Sequence, residues 1–378
     1  MNKPVIQLNL STSLGGAEVY SLFFSKALAA AGFPTTLLVD SRADFWDRFD
    51  QQGFEIRKVG NLQEAIEQIP NGSLLVNHSD APREWLSEIM QRAHVSTFAH
   101  HALTPHNRYD YYMHCHVLIP VSRYVIHTCE AHGFKNVYPE PLLGVADMRR
   151  DISATDIRAN GVYLWETRKG RDWLLSKVYP TYLEWRPRRH YVKRAGLTLG
   201  VVSRIANMKQ FPELFRLLLP ALREHPNVYI EFFGSGYYRK VRAVERVLRP
   251  LGSRVRWWGW QSDIAAIYGQ IDFLLTGLPE REALGLNVIE AQMCGTPVLA
   301  VNAPPFNETV KDGTGGLLYV DPRQDGGEDF RRLLAEMVAG RLRPDPLSDP
   351  DHLTKFGFDA YVARVRRLID SLTTAPPS

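Results

Sequence analysis

Two glutamates, Glu282 and Glu290, bracket a short glycine loop, Leu284-Gly285-Leu286. If a helix opens at that loop, its first amides, near residues 284–287, lack intrahelical acceptors and carry partial positive charge, which suits a diphosphate. One carboxylate then precedes the loop and the other lies one to two turns into the helix. Both can reach a single extended ligand, and carboxylates accept hydrogen bonds from hydroxyls, as a sugar or a ribose requires. Two arbitrary glutamates would equally fit an exposed position and the polar side of an amphipathic helix. Arg204 and Lys209 follow an apolar run at 197–202. There a guanidinium fork and an ammonium can neutralise a diphosphate leaving group, or can form a solvated surface pair. Gly15 and Gly16 follow the run 5–10; they either bring backbone amides close to an anion where a side chain would collide, or make a structural turn. Gly234 and Gly236 on their own are a turn.

The elements that must position these residues alternate. Residues 5–10 predict a strand, 17–31 a helix and 35–39 a second strand, a βαβ unit. Apolar runs at 55–59, 74–77, 95–99 and 117–121 follow, with helical patterns at 82–93 and 124–132. A second series predicts strands at 197–202, 229–233, 254–258, 273–276 and 297–301, separated by helices at 212–224, 238–248, 263–268 and 286–294. Such alternation argues for parallel sheets covered on both faces. A Pro- and Asp-rich stretch at 343–351 ends the series, and an amphipathic helix runs over 359–371. The expected fold class is α/β with two Rossmann-like domains facing a central cleft, where the carboxyl ends of the strands would hold a ligand. The domains are 1–147, a basic and aromatic passage at 148–195, 196–354, and a C-terminal helix at 355–378 crossing back to the first domain.

The run Glu282-Ala283-Leu284-Gly285-Leu286-Asn287-Val288-Ile289-Glu290-Ala291, followed by Cys294-Gly295-Thr296-Pro297-Val298, resembles the E-x7-E region of the retaining GT-B glycosyltransferases of family GT4. Other parts match in the same order. Leu14-Gly15-Gly16-Ala17-Glu18 resembles the family's Gly-Gly-x-Glu loop, and Val202-Ser203-Arg204-Ile205 to Lys209 its Arg and Lys pair. Gly234-Ser235-Gly236 and Trp258-Gly259-Trp260 fall at its next two loops. Pro120-Val121-Ser122 and Gly144-Val145-Ala146-Asp147 resemble the end of its first domain. The chain departs from the family at Ala303-Pro304-Pro305-Phe306-Asn307-Glu308, where a Gly-Gly pair is usual, and in the length of its interdomain passage.

The resemblance implies transfer of a sugar, with retention, from a nucleotide-diphosphate sugar to a hydroxyl of a glycan, lipid-linked or small-molecule acceptor. It implies that Glu290 binds ribose, Glu282 the donor sugar, and Arg204 and Lys209 the diphosphate. Gly15, Gly16, Gly234, Trp260, Leu284, Gly285 and Leu286 would complete the donor site. It also implies a histidine beside the reacting sugar, His100 or, one residue on, His101, in a first domain that presents the acceptor. No metal or other cofactor is required on that reading. The alternatives are a nucleotide-sugar epimerase of the same architecture and a binding protein without turnover.

The remaining features bound these expectations. A composition of 45% hydrophobic and 23% charged residues excludes disordered, collagen-like and coiled-coil classes. Three cysteines, Cys115, Cys129 and Cys294, fit a reducing compartment better than a disulfide framework. The apolar run at 5–10 is too short for a signal peptide and no run reaches membrane-spanning length, so a cytoplasmic protein is expected. His114, Cys115, His116, His127, Cys129 and His132 lack a paired Cys-x2-Cys spacing for zinc, and Asp349-Pro350-Asp351 fits helix capping better than a metal. His78, at the end of a strand, suits either a ligand cleft or the core. Residues 149–194 hold twelve Lys/Arg against five Asp/Glu, a balance of +7 in a chain of +4. With Trp165, Trp173, Tyr179, Tyr182, Trp185 and Tyr191, this stretch fits peripheral contact with an anionic membrane, an anionic acceptor, or an insertion packed on the body. Nucleic acid is a further polyanion, to which the small overall charge does not point.

Overall fold

The structure is a computed structural model that describes residues 4–12, 14–78, 83–99, 109–146, 148, 157–166, 169–185 and 187–374. It divides into two units, Met1–Val145 with Thr354–Ser378, and Ala146–Leu353.

The first unit is built on a six-stranded sheet: β1 Val5–Asn9, β2 Thr35–Asp40, β3 Glu55–Val59, β4 Ser73–Asn77, β5 Ala93–Ala99 and β6 Val117–Pro120. All pairs are parallel, in the order β3-β2-β1-β4-β5-β6. β1 and β4 are buried along their whole length, as strands covered on both faces must be. β1 nevertheless contains Gln7 and Asn9, and each is satisfied. Gln7 Nε2 donates to Ser25 Oγ (2.8 Å) and Thr35 Oγ1 (3.0 Å), while Asn9 Nδ2 donates to Ser21 Oγ (2.9 Å). Ser21 and Ser25 lie one turn apart on the helix Gly16–Ala30, so these bonds fix that helix over β1.

The C-terminal helix, Phe358–Thr374, belongs to this first unit. Tyr361 meets Tyr20 edge-on at 5.8 Å, Arg364 Nη2 donates to the Leu143 carbonyl (3.3 Å), and Arg367 pairs with Glu140 at 2.5 Å.

The second unit contains β7 Tyr163–Leu164, β8 Leu197–Val202, β9 Val228–Phe233, β10 Gly236–Tyr237, β11 Val255–Gly259, β12 Phe273–Leu275, β13 Val298–Val301 and β14 Gly316–Tyr319. Its main sheet is parallel, in the order β11-β9-β8-β12-β13-β14, and β7 pairs with β10. β14 and the helix Glu328–Val338 extend the series beyond the last expected strand. That helix buries Phe330, Leu333, Leu334 and Met337, a single stripe, in one core with Phe215 and Leu218.

Residues of the basic, aromatic passage belong to this second unit. β7 adds to it, the helix Gly170–Trp185 follows, and Tyr191 packs edge-on against Phe233 (5.6 Å) and Trp258 (5.2 Å). Among the described residues, no helix is long and apolar enough to cross a membrane.

Candidate functional site

In the main sheet of the second unit the chain starts at β8, steps outward through β9 and β11, then returns to set β12 on the other side of β8. The loops that leave the carboxyl ends of β8 and β12 therefore diverge at a topological switch, the place where open parallel sheets hold ligands. Arg204 and Lys209 follow β8, and Glu282 with Gly285 follows β12. Lys209 Nζ donates to Glu282 Oε2 across this switch, and both side chains are mostly buried. The backbones meet there too, through Leu278 N donating to Lys209 O at 3.2 Å. Next to this pair, Glu280 accepts from Gln210 Nε2 (2.9 Å) and Arg323 Nη1 (2.7 Å), and these donors hold its carboxyl below the usual range. Arg204 is exposed, and among the described residues its side chain makes no ion pair.

The loop of Arg204 is held by its neighbour after β9. Ser203 N donates to Phe233 O (3.1 Å) and Ile205 N to Ser235 O (2.9 Å). A Cβ at Gly234 would stand 2.1 Å from Ser203 O, and one at Gly236 2.4 Å from Ile205 O. Backbone packing alone therefore accounts for glycine at both positions. Trp260 follows β11, two strands from β8, with its side chain half exposed and its carbonyl accepting from Asn160 Nδ2 (2.9 Å).

The helix Leu286–Met293 opens at Gly285, whose φ of 80° is a left-handed conformation that glycine adopts without strain. Val288 and Ile289 donate to Gly285 O at 3.0 and 3.4 Å, whereas the amides of 284–287 find no acceptor among the described residues. Asn287 Nδ2 donates to Val202 O (3.1 Å) and ties this helix start to the end of β8. One turn on, Glu290 Oε2 accepts from the Tyr268 hydroxyl at 2.9 Å. Burial pushes the Glu290 carboxyl above its ordinary pKa, and the Tyr268 bond opposes that rise. Arg204, Lys209, Glu282, Leu284, Gly285, Leu286 and Glu290 are thus brought to the carboxyl edge of two adjacent strands. Tyr268 and Asn287 act in this arrangement without having been singled out from the sequence; Asn287 lay inside the quoted run, while Tyr268 carried no local signal.

In the first unit, Gly15 and Gly16 follow β1, which flanks that sheet's own switch against β4. Gly15 precedes the helix Gly16–Ala30 in an extended conformation (φ −155°) and, as glycine, offers no side chain to cap it. His78 follows β4 and sits in the core: its ring stacks on Phe98 at 4.8 Å and Nε2 lies 3.0 Å from Gln7 Oε1. His100 and His101 lie outside the described residues. Cys115 and Cys129 are buried, which pushes both thiols up to about 12, and His116 Nδ1 accepts from Val95 N (3.0 Å). Among the described residues no cluster of His, Cys, Asp and Glu could hold a metal ion. Asp349 pairs with Lys311 and accepts from His352 N (3.2 Å), a capping role at the helix Pro350–Thr354.

Residues 196–338 match the family model of glycosyl transferases group 1. The lipopolysaccharide core biosynthesis glycosyltransferase LpsE of Rhizobium meliloti is 29% identical over 157 residues, which is 40% of this chain and 44% of that protein. The D-inositol 3-phosphate glycosyltransferase of Salinispora tropica is 33% identical over 173 residues, 42% of this chain and 33% of that one. The chain thus matches less than half the length of these curated relatives. Among solved structures, Anabaena HepE in complex with UDP and glucose superposes with a TM-score of 0.71 at 15% identity, covering 98% of this chain and 100% of that one. The fold is therefore the GT-B architecture of two parallel-sheet α/β units.

Proposed function

We propose that the protein is a retaining, GT4-like glycosyltransferase that moves a sugar from a nucleotide-diphosphate donor to a hydroxyl of a glycan, lipid-linked or small-molecule acceptor, in the cytoplasm or at the inner face of a membrane. The observation that carries this reading is the Lys209–Glu282 pair closed over the β8/β12 switch, beside a helix start with unpaired amides. The amides of 284–287 and the side chains of Arg204 and Lys209 take the diphosphate, Glu282 the donor sugar and Glu290 the ribose hydroxyls. A UDP-sugar is the first donor to consider, since the fold neighbour HepE holds UDP and glucose.

In the reaction, the bond from the anomeric carbon to the diphosphate oxygen breaks and a bond to the acceptor oxygen forms on the same face. The acceptor proton passes to the departing phosphate. Charge grows on the diphosphate as that bond breaks, so Arg204, Lys209 and the helix amides stabilise the transition state more than the ground state. No described side chain needs to act as a nucleophile, and no metal is required on this reading. Gly15 and Gly16 are the anion-binding candidates of the first unit, and His100 is assigned to the acceptor side on the resemblance.

Thermal unfolding against UDP, GDP, ADP and their sugar conjugates tests the donor site. A nucleotide at a hundred times its Kd adds about 2.7 kcal/mol, a shift of several degrees. Transfer with an accepting hydroxyl should then give a product whose anomeric configuration by NMR equals that of the donor. A folded protein that no nucleotide stabilises refutes the donor site, and an inverted product refutes retention.

A further inference from the structure

The helix Gly170–Trp185 carries apolar side chains on two faces, with Asp172 buried on the inner one and Arg171, Lys177, Thr181 and Glu184 exposed among them. Leu175, Tyr179 and Leu183 face the body, where Tyr179 joins Tyr163, Trp165 and Tyr238 in an aromatic cluster. On the other side Leu174, Val178, Tyr182 and Trp185 follow one another at helical spacing and are 58%, 56%, 53% and 86% exposed, with Trp173 beside them at 50%. A second apolar stripe left facing outward is covered either by another protein or by a second apolar phase. The charge around this face says which. Lys177 on the helix and Arg188 just beyond it make no ion pair among the described residues. Glu184 is the one acidic residue exposed on the helix. The helix Tyr238–Leu248, joined to the body-facing side through the aromatic cluster and through Arg171 stacked over Tyr238 at 5.5 Å, carries Arg239, Lys240 and Arg246, likewise without ion-pair partners among the described residues.

We infer that this face docks on an anionic lipid bilayer, with Trp173, Leu174, Val178, Tyr182 and Trp185 entering the interface and the cations meeting the headgroups. Tryptophan and tyrosine suit the boundary between headgroups and chains, because one edge of each is apolar and the other polar. Apolar area and attraction to acidic lipid add, so neither part alone is expected to hold the protein at physiological salt. The inference deepens the proposed function, placing the enzyme beside membrane-held acceptors, but it does not depend on the donor site.

The test is co-sedimentation of the full chain with vesicles of phosphatidylcholine, with and without phosphatidylglycerol, followed also by tryptophan fluorescence. Binding to the anionic vesicles alone, with a blue shift and loss at high salt, is expected. Leu174→Ser with Trp185→Ser should abolish it, and Lys177→Glu with Arg188→Glu should weaken it by about 25-fold or more, since each surface cation contributes about fivefold. Cooperative thermal unfolding without ligand checks that both variants fold, and nucleotide stabilisation reports the donor site separately. Wild-type protein that ignores anionic vesicles overturns the inference, as does binding that survives the Leu174 and Trp185 changes. A dimer in analytical ultracentrifugation that these same changes dissolve would assign the face to a second copy of the chain and overturn it as well.

Discussion

The Lys209–Glu282 pair makes separable demands on stability and on ligand binding. Lys209 and Glu282 keep 23% and 17% of their side-chain exposure, so the pair lies between a surface bridge, worth under about 1 kcal/mol, and a buried one, whose breaking costs about 3–5 kcal/mol. A coupling of about 1–2 kcal/mol follows. Lys209→Met and Glu282→Gln remove each charge while keeping most of the volume. In urea unfolding each single change should destabilise the second unit, and the double variant should lose less than the sum by that coupling. The ligand readout differs. If Lys209 binds the diphosphate as proposed, Lys209→Met removes a charged bond of about 1.5–3 kcal/mol, so UDP affinity by calorimetry should fall about 10- to 150-fold. Turnover should fall by about two to three orders of magnitude, because the same charge stabilises the leaving group. Glu282→Gln frees Lys209 and should leave UDP binding equal or tighter, while erasing whatever affinity the sugar adds to UDP. Stability changes that add to within about 0.5 kcal/mol would show the pair to be uncoupled. Equal weakening of UDP by both changes would refute the division of roles.

On the proposed donor site, Glu290→Gln removes a charged acceptor for ribose and should weaken UDP about tenfold or more by calorimetry. The same variant should stabilise the unliganded protein above mildly acidic pH. The raised Glu290 pKa gives a contribution fully present below the ordinary value of 4.5 and lost as pH rises through the folded value, and glutamine does not ionise; thermal unfolding against pH with no divergence between the two proteins would contradict the burial argument. Gly236→Ala should cost about 2–4 kcal/mol in urea unfolding, because its Cβ would fall 2.4 Å from Ile205 O, and a neutral result would mean that the two loops separate easily. Cys115, Cys129 and Cys294 are all buried, so a thiol reagent should label the native protein far more slowly than the unfolded chain; fast native labelling would expose an opening of the core.

What the sequence carried and what it withheld divide along the range of the interactions. The glycine loop, the helix behind it and the two glutamates lie within one short run, so local rules place them correctly. The closing of Lys209 on Glu282 spans 73 positions and exists only because the chain turns back to set β12 beside β8, a strand order that no periodicity encodes. Tyr268 reaches Glu290 because the helices before and after β12 pack together, and Gly234 with Gly236 is explained only once the β8 loop lies against them. The helix Glu328–Val338 had a readable stripe in Phe330, Leu333, Leu334 and Met337, whereas β14 is four residues long and β7 and β10 are two each, too short for alternation to show. The helix Gly170–Trp185 was hidden differently. Amphipathic helices are found by contrast between faces, and here Leu175, Tyr179 and Leu183 on one side are matched by Leu174, Val178, Tyr182 and Trp185 on the other, so the contrast cancels. The lack of contrast that conceals the helix in the sequence is also what makes it unusual in the structure. A side chain set that only had to hold the helix to the body would need one apolar stripe, and the second stripe is the one the proposed bilayer contact would cover.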